Sequence, residues 1–194
     1  MMSKSLFLTA FLFVVNLGST LAQSANPYFA RIQGGYGLCG AGDRQGYVVD
    51  LSAGKYLLPR LKAGVGFAFA DFDNGVYLPA SENQAFAWSF NLNAYYDLVN
   101  TRFFKVELGA GPNVQLWDWN YKAPGNTTYV LDDDIRVLPG QALQFDEWQL
   151  GYTASLGLLI TPTNNLEIGI WGVHQNGVNG NNISTLRMGA GMKF

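Results

Sequence analysis

The feature that most constrains this chain is a strict period-two alternation that recurs along most of its length. Phe86, Trp88, Phe90, Leu92, Ala94 and Tyr96 share one parity, while Ala87, Ser89, Asn91, Asn93, Tyr95 and Asp97 share the other. A strand sends successive side chains to opposite faces, so this pattern specifies a β-strand with one apolar face. The pattern returns in Phe104, Val106, Leu108, Ala110, Val114 and Leu116, set against Lys105, Glu107, Gly109, Gly111, Asn113 and Gln115. It returns again in Trp148, Leu150, Tyr152, Ala154, Leu156 and Leu158, set against Glu147, Gln149, Gly151, Thr153, Ser155 and Gly157. Eight segments read this way: roughly 27–38, 44–54, 60–71, 84–98, 103–118, 147–161, 165–175 and 184–194. Each reaches the ~9–11 residues with which a tilted strand crosses a bilayer.

The connectors differ at the two ends. Those near Gly54–Pro59, Val99–Arg102 and Pro162–Asn165 are short, whereas Phe72–Asn83 and Trp119–Asp146 are long. An even strand count with short turns at one end and longer loops at the other is the arrangement of outer-membrane barrels. The expected fold is all-β, a closed antiparallel eight-stranded up-and-down transmembrane β-barrel formed by residues 23–194. Pro112 falls inside the fifth segment, where it cannot donate to a ladder, so a bulge is expected there.

Residues 1–22 read as a cleaved signal peptide. Lys4 supplies a positive start, Leu6–Leu17 an apolar run, and Thr20-Leu21-Ala22 a small-x-small cleavage site. No later apolar run reaches the ~20 residues of a spanning helix. Charged residues make up 13% of the chain, about half the ~25% of a soluble domain. The formal net charge of -2 gives no reason to expect nucleic acid as a partner. The single cysteine, Cys39, has no intramolecular disulfide partner and reads as incidental.

Alternation alone does not say which face points outward. Three observations favour apolar-out. The polar face is crowded with glycines, including Gly35, Gly64, Gly109, Gly151 and Gly189, which suit a narrow interior. Its charges nearly balance: Arg31, Lys62, Lys105, Arg187 and Lys193 against Asp50, Asp97, Glu107, Glu147 and Glu167. Buried charges persist only when paired, so these ten are expected to form a lumen network. Aromatics gather near the strand ends of the apolar face. Tyr28, Tyr96, Phe104 and Phe194 lie toward the short turns, and Tyr36, Tyr47, Phe69, Trp88, Trp148 and Tyr152 toward the long loops. Two such belts mark the two membrane interfaces.

The last ten residues alternate strictly, with Leu186, Met188, Ala190, Met192 and the aromatic Phe194 on one face. This resembles the terminal strand signal of outer-membrane barrels, read by the barrel-assembly machinery. With the leader and the eight segments, the chain is similar to the small outer-membrane barrels that include OmpX and the OmpA transmembrane domain. The resemblance implies a side-chain-filled lumen, a Gram-negative outer-membrane location, and lipid and lipopolysaccharide as surroundings.

Motifs for chemistry are sparse. Gly35-Tyr36-Gly37-Leu38-Cys39-Gly40 matches G-x-G-x-x-G, but strand rather than helix follows, so no dinucleotide site is expected. His174, the only histidine, faces outward by parity, where lipid A deacylases of similar strand number keep a His-Ser-Glu site. Here the run is His174-Gln175-Asn176, without the adjacent serine. Asp132-Asp133-Asp134, with Asp118 and Asp146, could offer oxygen to Ca²⁺, yet no recognised Ca²⁺-loop spacing is present. The same loop holds Tyr121, Tyr129, Val130, Leu131, Ile135, Val137 and Leu138, apolar for a surface segment and suited to a protein partner. The expectation is a non-enzymatic barrel without cofactor, displaying the 119–146 loop in a structural or surface-interaction role. A narrow pore and a lipid-modifying enzyme are the alternatives.

Overall fold

A computed structural model describes residues 27–40, 44–73, 84–122, 129–132, 135–137, 142–178 and 180–194, with the side chains of 73, 121–143 and 145 excepted. The expected signal peptide and most of the connector at 72–83 lie outside the described residues. The strands are β1 (Tyr28–Cys39), β2 (Arg44–Leu58), β3 (Leu61–Asp73), β4 (Gln84–Asn100), β5 (Phe104–Lys122), β6 (Tyr129–Asp132), β7 (Ile135–Val137), β8 (Ala142–Ile160), β9 (Leu166–Gly177) and β10 (Asn182–Lys193).

Eight of them close a barrel in the order β1-β10-β9-β8-β5-β4-β3-β2, and β6 pairs only with β7 as a separate hairpin. Every pairing is antiparallel. Closure between β1 and β10 runs from Phe29↔Lys193 to Cys39↔Ile183, so neither terminal strand offers a free edge. The expected all-β eight-stranded barrel is the observed fold.

Two sequence expectations change. Pro112 causes no bulge. The β4–β5 register is the same on both sides of it, Asn91↔Asn113 and Ala94↔Ala110. Pro112 stays opposite Tyr152 on β8. Its missing N–H costs rungs toward β4 without inserting a residue. The register shifts fall instead beside short turns, at Tyr56/Leu58 and Asp97/Val99, where strong twist is needed to reverse the chain. The second change is the long connector. β5 and β8 stay paired out to Lys122↔Ala142, so both ends of the 119–146 segment, 119–122 and 142–146, are ladder rather than loop. Each of these strands has 19 residues, well beyond the ~9–11 a membrane crossing uses.

The inward parity is buried and the outward parity exposed. Val65, Phe90, Leu92, Leu108, Leu150, Leu156, Leu158, Ile168, Ile170, Leu186 and Met188 all stand on the outside. From Phe86 to Tyr96 this apolar band covers eleven residues of β4. At ~3.3 Å per residue and a tilt of ~40°, that is a height of roughly 28 Å, matching the apolar band of membrane barrels.

Candidate functional site

The interior is filled in three layers along the barrel axis. At the short-turn end seven ionised side chains meet. Arg31 donates to both oxygens of Glu107, at 2.8 and 3.0 Å. Lys62 reaches the same carboxylate and lies 3.9 Å from Glu167 and 4.0 Å from Asp97. Lys105 and Lys193 share Oε1 of Glu167, at 2.7 and 2.8 Å. The ladder places Asp97 directly opposite Glu107. Two like charges so placed repel, and the surrounding cations make the pairing tenable. Aromatic rings complete this layer. Phe29 packs edge-on to Tyr56 and Tyr95, and the Arg31 guanidinium lies 4.6 Å over Trp171. Glycine makes room: a Cβ on Gly157 would come within 2.5 Å of the Trp171 ring.

The middle layer is mostly neutral and polar. Thr153 Oγ1 and Gln175 Nε2 both donate to Asn91 Oδ1, at 2.9 and 3.0 Å, and Asn113 Nδ2 donates to Thr153 Oγ1 at 3.1 Å. The pair Arg187–Asp50, 3.1 Å apart, sits here. The cavity between these groups has a volume of about 20 Å³, room for about one water molecule.

The layer toward the long loops is apolar. Trp117 and Trp119 stack at 4.9 Å with planes 10° apart, and Phe72 stacks on Trp117 at 6.1 Å. Around them lie Cys39, Val48, Ala68, Ala70, Ala85, Ala87 and Ile183, all buried. Small inward alanines on β3 and β4 leave the volume that the indoles fill. Trp117 Nε1 donates to Gln115 Oε1 at 2.9 Å, and the Arg44 guanidinium lies 4.9 Å over Trp119.

The ten charges expected to form one network are therefore divided. Arg31, Lys62, Asp97, Lys105, Glu107, Glu167 and Lys193 form the cluster, Asp50 and Arg187 pair separately, and Glu147 lies near the far end. Glu147 accepts a hydrogen bond from Asn181 at 3.4 Å. Lys105 registers with Leu159, twelve residues along β8 from Glu147, or about 40 Å of strand. Parity assigns a face, but it does not assign a height. Trp117, Trp119 and Phe72 were legible as inward by the same parity. An aromatic on the lysine-bearing face was the signal.

On the outer wall, Tyr36, Tyr47, Trp148 and Tyr152 are exposed near the long-loop end, with Tyr36 and Tyr47 in edge contact at 5.2 Å. Tyr96 and Phe104 are exposed near the short turns, and Tyr28 and Phe194 half-buried there. Phe69 faces Trp88 across the β3–β4 ladder, and the same row of partners continues through Leu116 to Trp148. With Phe67, Phe86 and Phe90, the Phe69 and Trp88 rings form a ladder running down β3 and β4, the Phe69–Trp88 centroids 4.4 Å apart.

His174 also lies on the outer wall. Its Nδ1 is 2.9 Å from Oγ of Ser184, which faces it across the β9–β10 ladder. Tyr152 is close, its ring centroid 6.5 Å from the imidazole and its hydroxyl bonded by Asn176. The serine missing from the sequence neighbourhood of His174 is thus supplied by the adjacent strand. Among the described residues no carboxylate bonds the imidazole. The side chains of Asp132, Asp133 and Asp134 lie outside the described residues.

No protein-family model matches the sequence, and no curated protein matches it. Solved structures do match. Ail, the attachment invasion locus protein of Yersinia pestis, superposes with a TM-score of 0.53 at 12% identity, over 87% of this chain and 98% of its own. Neisserial surface protein A gives 0.53 at 15%, over 86% and 95%. OprG from Pseudomonas aeruginosa gives 0.55 at 11%, over 88% and 96%. The chain has the fold of the small outer-membrane barrels. At such identities the likeness carries the architecture and leaves the role to the residues.

Proposed function

We propose that this chain is a non-enzymatic protein of a Gram-negative outer membrane. Its barrel serves as a closed anchor that carries the tall β5–β8 hairpin above the outer surface. In this reading residues 1–22 are removed on export, and the Leu186–Phe194 face is the signal read by the assembly machinery. The Tyr36, Tyr47, Trp148 and Tyr152 side of the wall meets lipopolysaccharide. Residues Tyr121–Leu138, with the apolar Tyr129, Val130, Leu131, Ile135, Val137 and Leu138 among them, are offered to a protein partner.

The observation that carries this reading is the filled lumen inside an apolar wall. Among the described residues, charge pairs fill one end, stacked indoles the other, and the cavity between the middle-layer groups is only about 20 Å³, which disfavours the narrow pore. The test has two parts. The outer-membrane fraction is run on gels with and without boiling, and a folded, faster band is expected only without heat. Protease added to intact cells should then cut within 119–146 and leave the barrel whole. A soluble protein with no mobility shift would overturn the reading.

One observation favours a second reading, hydrolysis of a lipid ester. The His174–Ser184 contact sets a base beside a hydroxyl at the outer interface. Overexpression of the wild type and of Ser184→Ala, followed by mass analysis of lipid A, decides it. Identical acylation patterns remove the enzymatic reading, and a loss of acyl chain that needs Ser184 would establish it.

A further inference from the structure

The short-turn mouth of the barrel holds a second feature that the anchoring role does not use. Charge in the buried cluster does not balance. Four cations, Arg31, Lys62, Lys105 and Lys193, face three carboxylates, Asp97, Glu107 and Glu167. Two ammonium groups crowd one oxygen of Glu167, at 2.7 and 2.8 Å. The excess cation stands where the cluster meets the mouth, and an anion supplied from outside would pair with it.

The side chains of the surrounding turns are cationic as well. The turns at 58–61, 100–104 and 160–166 contain no carboxylate, yet they carry Arg60 and Arg102. No salt bridge among the described residues involves either arginine. Between these turns lies an open cavity of about 520 Å³. Lys105, Lys193 and Arg102 line it, with the amides of Asn100 and Asn164 and the ring of Tyr56. Lys105 is buried, and Lys193 is partly open to the cavity. The combination is two point charges at the floor, a planar fork at the rim and neutral donors between. Arginine forks and lysine ammoniums are the groups that hold phosphate oxygens.

We infer that this mouth binds one phosphate group presented from the periplasmic side. Lys193 and Lys105 neutralise it from below and Arg102 clamps it from the rim. The open cavity is larger than a phosphate and leaves room for the rest of a phosphoester. The source of the phosphate is either a soluble phosphoester or the headgroup of a phospholipid in the adjacent leaflet.

The test uses the mature barrel folded in zwitterionic micelles and titrated with inorganic phosphate at low ionic strength. The same protein is then placed in phosphatidylcholine nanodiscs with and without phosphatidic acid and observed by ³¹P resonance. Arg102→Gln lies outside the buried ion pairs, so its barrel is expected to fold, which the unboiled gel band verifies. Removing one charged hydrogen bond should weaken binding about tenfold. Lys193→Gln should do the same, while Lys55→Gln, on the outer wall beside Tyr28, should do nothing. Saturable binding of free phosphate with this pattern supports a soluble ligand. A phosphatidic acid shift that needs Arg102, with no response to free phosphate, supports a headgroup. Absence of both, or equal loss in Lys55→Gln, overturns the site.

Discussion

The two ends of the lumen solve one packing problem with opposite chemistry. Near the short turns the space is filled by seven charged side chains, four cations against three carboxylates, held by close ion pairs. Near the long loops it is filled by Trp117, Trp119 and Phe72 among alanines. The two fillings respond differently to damage. An ion cluster is a set of mutual obligations, because removing one member leaves its partners charged and dry. An indole stack is a sum of contacts, because removing one ring leaves a void that neighbours and water partly refill. A barrel whose outside must be apolar has only its inside in which to place charge. Where it does so, the filling becomes less forgiving.

The sharpest way to break this comparison is to strike both ends and rank the losses. Glu107→Ala strands Arg31 and Lys62 without their carboxylate, and the expected loss is about 3–5 kcal/mol. The readout is the urea midpoint of the fast-migrating folded band. Trp117→Ala should cost about 3 kcal/mol, the low end for a buried tryptophan, since its cavity lies near the open end of the barrel. A Trp117→Ala loss well above that of Glu107→Ala would reverse the argument. A milder probe at the same end is Gln115→Leu. It leaves the Trp117 indole N–H without its acceptor, and about 1 kcal/mol is expected, with the ring unmoved by its near-ultraviolet dichroism.

Much of this architecture was legible in the sequence, and the rest failed for one reason. Alternation fixes which face a residue is on, so Arg31, Lys62 and Glu107 were readable as inward and Leu156 or Met188 as outward. Register fixes which residues share a height, and a single strand carries no information about its partner's register. That is why parity alone groups Glu147 with lysines at the far end of the lumen. It is also why Ser184, ten residues from His174 in the chain, went unpaired with it until the β9–β10 ladder set them face to face. Pro112 shows the same limit, because whether a proline bends a strand or merely forfeits rungs depends on its neighbours.

The smallest expected effect tests whether the two fillings act in series. If each end closes the lumen by itself, opening one should leave conduction unchanged. Trp117→Ala combined with Trp119→Ala removes the stacked indoles. The middle layer retains its bonded Asn91, Thr153 and Gln175, and beyond it the Arg31–Glu107 and Lys105–Glu167 contacts still span from strand to strand. The double variant in a planar bilayer should therefore show the same absence of stable channel steps as the wild type. Persistent conductance from the double variant would mean that the indoles are the sole gate and that the charged end is permeable. In that case the ion cluster would be better understood as the selectivity lining of a pore than as a plug.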